Sequence, residues 1–436
     1  MRGLWKKSMV MVCAVLVGTF GTAGAAVPDA ASAVVEKGTA AVTKPSDGNL
    51  QVAITGNNAL IKWASGFGVG QNEAVRFGWT GSGGNFVVNY VPAGIGKSEI
   101  NGIMGKVSGM NDGHVWLINP SGIAFGAGAN ISFNKFSAIA GGVNPVDVYT
   151  FALGGTTSRY LDLAGNTGEI NATGNAQFHI GKDDANYSTR LLFVAKNITI
   201  APGVTIDRGT TSGSPNPNRL AVQLAAAGTV TITDNGELNN GTSNYYNSLG
   251  DISAKGNITA HTVTMFGANV TVGGTITVPG KGHVIMAAGK TLDVSGLTVD
   301  AKSSKEIHFN VSAPTITATQ NVTLTSSNNS SPTWTIYDAA VTETSDVDIK
   351  KGSSIFYDGR YTANTTLVIG DSFGNGLITK VMPNGSIWFQ TNSFASGQLD
   401  AQMAIQRNWQ PSSSNYSTSI TGLPTGAAPG AAVVIQ

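Results

Sequence analysis

Residues Val270 to Val278 read VTVGGTITV. Val270, Val272, Ile276 and Val278 alternate with Thr271 and Thr277 about the pair Gly273-Gly274. Period-two alternation puts the apolar side chains on one face, the pattern of a half-buried strand, and paired glycines mark a tight bend. Two strands this short cannot bury an apolar face alone. The unit recurs, however, as Ile198-Thr199-Ile200, Val204-Thr205-Ile206, Val230-Thr231-Ile232, Val263-Thr264-Met265, Leu297-Thr298-Val299 and Val322-Thr323-Leu324. In each, the flanking apolar residues are expected to point inward and Thr outward. Hairpins in a sandwich would use similar strands, but stacking explains the recurrence better, since each coil covers its neighbour's core. Coils of roughly 20–25 residues give about 15 coils. At ~4.8 Å between strands the rod would be about 70 Å long, with capping structure over its open sheet edges.

The same alternation occupies Ile123 to Phe133, where odd positions are Ile, Phe, Ala, Ala, Ile, Phe and even ones small or polar. Just before it, Asn119-Pro120-Ser121-Gly122 interrupts two apolar runs. Asn at the first position, Pro at the second and Gly at the fourth is the chemistry of a type I turn. No charge or nucleophile-plus-base pair accompanies it, so catalytic and anion-loop readings fall away.

Composition agrees with a Gly-punctuated all-β chain. Gly is 56 of 436 residues, charged residues are 12%, and 41% are hydrophobic, too many for disorder. A net charge of +1 gives no electrostatic case for nucleic acid or acidic membranes.

The first 25 residues read as an export signal. Arg2, Lys6 and Lys7 form a basic head, Met9 to Val17 an apolar stretch, and Ala23-Gly24-Ala25 an A-x-A cleavage site. The single cysteine, Cys13, lies within that segment, so the mature chain is expected to hold neither disulfides nor thiol chemistry. Residues 26–45 are small and polar and read as a linker. From about Pro411 the composition is that of a flexible tail, 411–436.

Two strong catalytic signatures are missing: there is no His-Glu-x-x-His pair and no phosphate-cradling Gly-x-x-x-x-Gly-Lys loop. No His or Cys pair has metal-ligand spacing. The nearest approach to a catalytic cluster is His179 with Asp183-Asp184, whose setting is that of a solvated turn. The chain is therefore expected not to be an enzyme and to carry no cofactor, catalytic residue or metal site. Asn-x-Ser/Thr sequons such as Asn130-Ile131-Ser132 and Asn197-Ile198-Thr199 follow from a composition rich in Asn and Thr.

Several spaced motifs resemble a known family. Asn58-Ala59-Leu60-Ile61-Lys62-Trp63, Phe67-Gly68-Val69-Gly70 and Ala74-Val75-Arg76-Phe77 come first, then Val87-Val88-Asn89-Tyr90-Val91 and Ser98-Glu99-Ile100-Asn101-Gly102. Gly113 to Ile123, with Phe125-Gly126, closes the series. In this order they resemble the two-partner secretion domain, the haemagglutination-activity domain at the N-terminus of filamentous haemagglutinin-like exoproteins. Weaker similarity continues through Phe193-Val194-Ala195 and Ala225-Ala226-Ala227-Gly228. Where family members commonly carry Asn-Pro-Asn-Gly, this chain has Ser121, and the earlier Asn-Pro-Asn-Leu motif of the haemagglutinin subgroup is missing. Asn216-Pro217-Asn218-Arg219-Leu220 comes too late to replace it. The pattern is closer to the high-molecular-weight adhesins and haem-acquisition exoproteins.

The resemblance implies a right-handed parallel β-helix with an N-terminal cap, its secretion domain over 46–270 and further coils over 271–410. It also implies Sec-dependent export in a Gram-negative cell and passage through a dedicated outer-membrane barrel transporter whose POTRA domains read the secretion domain. The destination would be the medium or the cell surface, and the role that of an adhesin. A β-helical polysaccharide-degrading enzyme and a haem-acquisition exoprotein are the alternatives. By resemblance, Asn119, Pro120, Ser121, Gly122 and Ile123 form the secretion motif, and Trp63, Phe67, Phe77 and Asn89 are further motif residues.

Overall fold

The computed structural model describes residues 27–154, 160–165, 167–181, 189–209, 220–233, 250–280 and 282–302, and beyond 302 the backbone of eight strands. The chain enters through β1 (Ala33–Ser46), which runs antiparallel to β2 (Asn49–Trp63). The first half of β2 pairs in parallel with β3 (Ala74–Trp79) and its second half with β4 (Phe86–Tyr90). A circuit then repeats: β5 (Ser98–Ile100), β6 (Ile103–Lys106), β7 (His114–Ile118), then β8 (Ile123–Phe125), β9 (Asn130–Phe133), β10 (Lys135–Ile139). After an excursion through α1 (Pro145–Ala152) and β11 (Tyr160–Ala164), it resumes with β12 (Glu169–Ala172), β13 (Gln177–Ile180) and β14 (Thr189–Ala195). Next come β15 (Asn197–Ile200), β16 (Thr205–Asp207) and β17 (Leu220–Ala226), and a second excursion through β18 (Thr229–Thr233). The circuit continues with β19 (Asp251–Ala254), β20 (Asn257–Thr259), β21 (Thr262–Val272), β22 (Gly274–Val278), β23 (Gly282–Asp293) and β24 (Leu297–Ala301).

Each strand pairs in parallel with its equivalent one turn later, which makes three faces. The first face stacks β2, β4, β7, β10, β14, β17, β21 and β23. The second stacks β5, β8, β12, β15, β19 and the later halves of β21 and β23. The third stacks β2, β3, β6, β9, β13, β16, β20, β22 and β24. Past residue 302 the stack goes on through β25 (Ile307–Ser312), β26 (Thr315–Thr317), β27 (Val322–Thr325), β28 (Trp334–Asp338), β29 (Ser354–Gly359), β30 (Leu367–Asp371) and β31 (Ser386–Thr391). β32 (Ala432–Val434) lies antiparallel to β31. The architecture is a right-handed parallel β-helix, as expected.

The core is a set of ladders. Ala59, Val87, Val115, Phe136, Leu191, Val222, Val263 and Val284 sit in register on the first face, all fully buried. Between them Phe125, Phe178 and Phe193 pack with ring centroids 5.0 to 5.7 Å apart. Such pairs contribute about 0.5–1.5 kcal/mol each beyond their area. The ladder positions are 28, 28, 21, 55, 31, 41 and 21 residues apart, so coils vary far more than the expected 20–25 residues. Corners absorb the difference, because only the strands must stay in register. Among the described residues eleven strands stack on the first face, a rise of about 50 Å.

Other expectations need correction. Residues 26–45, read as a linker, hold most of β1, whose Ala33, Val35, Ala40 and Val42 pack on the core while Glu36, Lys37 and Lys44 face solvent. Bulges near Gly38 and Lys44 and the exposed lysines protect this long edge against pairing with another chain. Ile123 to Phe133 is two strands with a corner at Gly126 to Gly128. Ile123, Phe125, Ala129, Ile131 and Phe133 are buried as the alternation requires, but Ala127 is exposed. Val230-Thr231-Ile232 belongs to no coil: β18 pairs antiparallel with β11 outside the helix. Thr264 of another such unit is also buried, its outward side lying on the covered first face.

That cover is the main feature the alternation does not announce. The outward side of the first face is apolar, with Leu60, Val88, Trp116, Ile118, Ile139, Leu192, Val194 and Phe266 in a second core. α1 supplies Val148, Tyr149 and Phe151 to it, and β18 supplies Val230 and Ile232. Strands buried on both sides lose alternation, which is why all seven residues of β14 are buried. α1 starts at Asn144, whose side chain accepts from Val146 N at 3.0 Å, followed by Pro145 at its first turn. Among the described residues no helix is long and apolar enough to cross a membrane. The expected signal (1–25) lies outside the described residues, as does all of the expected tail (411–436) except β32.

Candidate functional site

Asn119 to Gly122 forms the corner between β7 on the first face and β8 on the second. Gly122 N donates to Asn119 O at 3.0 Å and closes the turn. The Asn119 side chain is fully buried and stitches three stretches of chain together. Its Oδ1 accepts from Ser121 N at 2.9 Å, and its Nδ2 donates to Gly96 O at 2.9 Å and Ser98 Oγ at 3.0 Å, both in the preceding coil. Asn119 N donates to Ile139 O of the next coil at 2.9 Å, and Ser98 N donates back to Gly122 O at 3.0 Å. Amide geometry suits this place, since one side chain offers two donors and an acceptor in a plane.

Space is tight above the turn. Gly122 has φ 110°, a conformation that favours glycine, and a Cβ there would stand 3.1 Å from Glu169 O. A Cβ on Gly168 would come within 2.7 Å of Pro120 O and 2.8 Å of Gly122 N. Pro120 O accepts from Thr167 Oγ1 at 3.4 Å. Ser121 is half-buried and its backbone N–H carries its tie to Asn119, so the Ser-for-Asn departure removes none of these bonds. Ile123, 1% exposed, starts β8 between Ser98 and Ile170.

The other motif residues divide into two places. Trp63, Phe67 and Asn89 meet inside the first coils: Trp63 Nε1 donates to Asn89 Oδ1 at 3.0 Å, and Phe67 packs edge-on against Trp63 at 5.2 Å. Asn89 Nδ2 then donates to Trp116 O at 3.2 Å, tying this cluster to β7 just before the corner. Phe77 is elsewhere, on the third face, edge-on to Phe133 at 5.9 Å. Ser98 opens one of the motifs quoted above, but nothing in the sequence tied it, Gly96 or Ile139 to Asn119, since each stands 20 or more residues away.

His179 has a partner that its neighbours in sequence did not suggest. Its Nδ1 lies 2.7 Å from Asp207 Oδ1, one coil later, and its Nε2 3.4 Å from Gln177 Oε1. Asp183-Asp184 lies outside the described residues. Among the described residues no group of three His, Cys, Asp or Glu side chains could hold a metal. His114 is half-buried, with its Nε2 2.8 Å from Ser137 Oγ. Burial, then the charges of Lys135 and Arg190, holds its imidazole well below the ordinary range, so it stays neutral.

The geometry is that of an internally satisfied corner with no reactive pair, and the fold around it is shared. The structure is similar to the crystal structure of the HMW1 secretion domain from Haemophilus influenzae, with TM-score 0.53, 17% identity, and 81% of this chain and 93% of that chain covered. No protein-family model and no curated protein matches the chain. At that identity the likeness establishes the architecture: this chain has the parallel β-helical fold seen in that secretion domain.

Proposed function

We propose that the chain is a secreted exoprotein of two-partner secretion, carried across the outer membrane by a dedicated barrel transporter whose POTRA domains read its N-terminal coils. The observation that carries this reading is the likeness of its fold to a secretion domain over 93% of that domain. The ordered series of motifs from Asn58 to Gly126 supports it independently. The corner at Asn119 then has a definite place. Its side chain is consumed by Ser121, Gly96 and Ser98 once two coils have formed, so any reading of the motif by a transporter precedes closure of that corner. At the surface or in the medium the role is adhesion without catalysis and without a cofactor. Fusing residues 1–302 to a passenger that otherwise stays in the periplasm tests the export reading. The passenger should reach the medium when the cognate barrel is coexpressed, and retention in its presence removes the proposal. Adhesion is tested by binding of purified protein to host cells and glycans, with glycan cleavage as the outcome that would favour the enzymatic alternative.

A further inference from the structure

A stack of coils with only nearest-neighbour contacts opens rung by rung from its ends. On the outward side of the first face this chain has contacts that span several rungs. α1 and β11 leave the helix after β10, and the base of that excursion is pinched by Gly142 N to Gly165 O and Gly168 N to Ala140 O, both 3.0 Å. From there Tyr149 reaches back to the first rung, its OH donating to Asn58 Oδ1 of β2 at 2.7 Å and its ring 5.4 Å from Phe86 of β4. In the other direction β11 pairs with β18, which follows β17 two rungs further on, in an unbroken register from Tyr160 with Thr233 to Ala164 with Thr229. Beneath them Trp116, Ile118, Ile139, Leu192 and Val194 form a buried strip that the coils cannot cover themselves.

We infer that α1, β11 and β18 are a clasp that couples six successive rungs, from β2 to β17, so that they open as one kinetic unit. Because β18 lies 65 residues or more beyond β11, the clasp closes only after the β14 and β17 rungs are laid down. Until then the apolar strip stays exposed, and closure is the step that commits the N-terminal coils. The clasp is independent of how the chain is exported, and its failure would leave the export reading untouched.

Native-state hydrogen exchange on the full chain, carrying Cys13→Ser, tests it with two kinds of variant. Asp162→Cys with Thr231→Cys places cysteines at directly paired antiparallel positions, within the reach of a disulfide. Val230→Asp or Ile232→Asp drives β18 off the strip by burying a charge. Oxidation of the cysteine pair should slow exchange of β4, β7, β14 and β17 amides together, by about tenfold or more, and reduction should reverse it. The aspartate variants should let β14 and β17 exchange ahead of β4 and β7. If exchange in β4 and β7 is the same in the oxidised and reduced cross-link variant, the rungs are not coupled and the inference fails. That comparison holds even if the aspartate variants do not fold.

Discussion

Asn119 and Ser98 stand 21 residues apart in the chain and are joined side chain to side chain, Nδ2 to Oγ at 3.0 Å, both fully buried. The bond ties the end of one rung to the start of the rung before it. Asn89 makes a tie of the same kind, from β4 to the Trp116 carbonyl of β7.

Asn119→Ala leaves Ser98 Oγ without its partner at a fully buried position and removes the ties to Ser121 N and Gly96 O at the more open rim of the corner. A loss of about 2–4 kcal/mol is expected, from about 1–3 kcal/mol for each group not rescued by water. Thermal unfolding followed by circular dichroism checks it. Ser121→Asn should change stability by less than about 0.5 kcal/mol, since it is the backbone N–H of Ser121 that holds Asn119.

Gly168→Ala should disturb the corner from the other side. Its φ is not in the left-handed region, so the cost comes from the Cβ meeting Pro120 O and Gly122 N, fixed backbone atoms that have little room to move. Overpacking of this kind costs about 1–3 kcal/mol. Denaturant unfolding with an unchanged m-value and a lowered midpoint would confirm it.

The Trp63–Asn89 bond makes a separate prediction. Trp63→Phe removes the indole N–H and leaves Asn89 Oδ1 buried without its donor, costing about 1–3 kcal/mol plus lost packing. In a double-mutant cycle with Asn89→Leu the two losses should be non-additive by more than about 0.5 kcal/mol. Additive losses would mean that the bond contributes nothing.

Acid should weaken the fold through His114. Its folded imidazole titrates well below the usual 6.5, mainly through burial, so between those limits the unfolded chain binds a proton that the folded chain does not. The contribution is therefore complete above pH ~6.5 and is lost as pH falls toward the folded value, with a slope of up to about 1.4 kcal/mol per pH unit. His114→Gln should flatten this part of the stability profile, read from denaturant midpoints between pH 7 and pH 4.5.

Much of the coil was legible because a half-buried strand writes its burial into every second residue. Val270 to Val278 and Ile198 to Ile200 obey that rule, as does Ile123 to Phe133 apart from the corner at Ala127, and Asn119 to Gly122 announces a turn by its chemistry alone. The cover was not legible. Leu192 and Val194 face outward yet are buried, so β14 shows no alternation, and Val230-Thr231-Ile232 looks like a coil strand although it lies across the outside. Nor could spacing reveal that β1 pairs back on β2, because Ala, Thr and Lys at a sheet edge resemble a linker. The partners of Asn119 and His179 come from neighbouring coils, a relation fixed by insertions of unequal length that periodicity does not encode.

The export reading is tested most directly by fractionating cells in which the gene for the cognate outer-membrane barrel is deleted. Under two-partner secretion the chain then disappears from the medium and surface and accumulates in the periplasm. Delivery to the surface or medium at the wild-type level would contradict it.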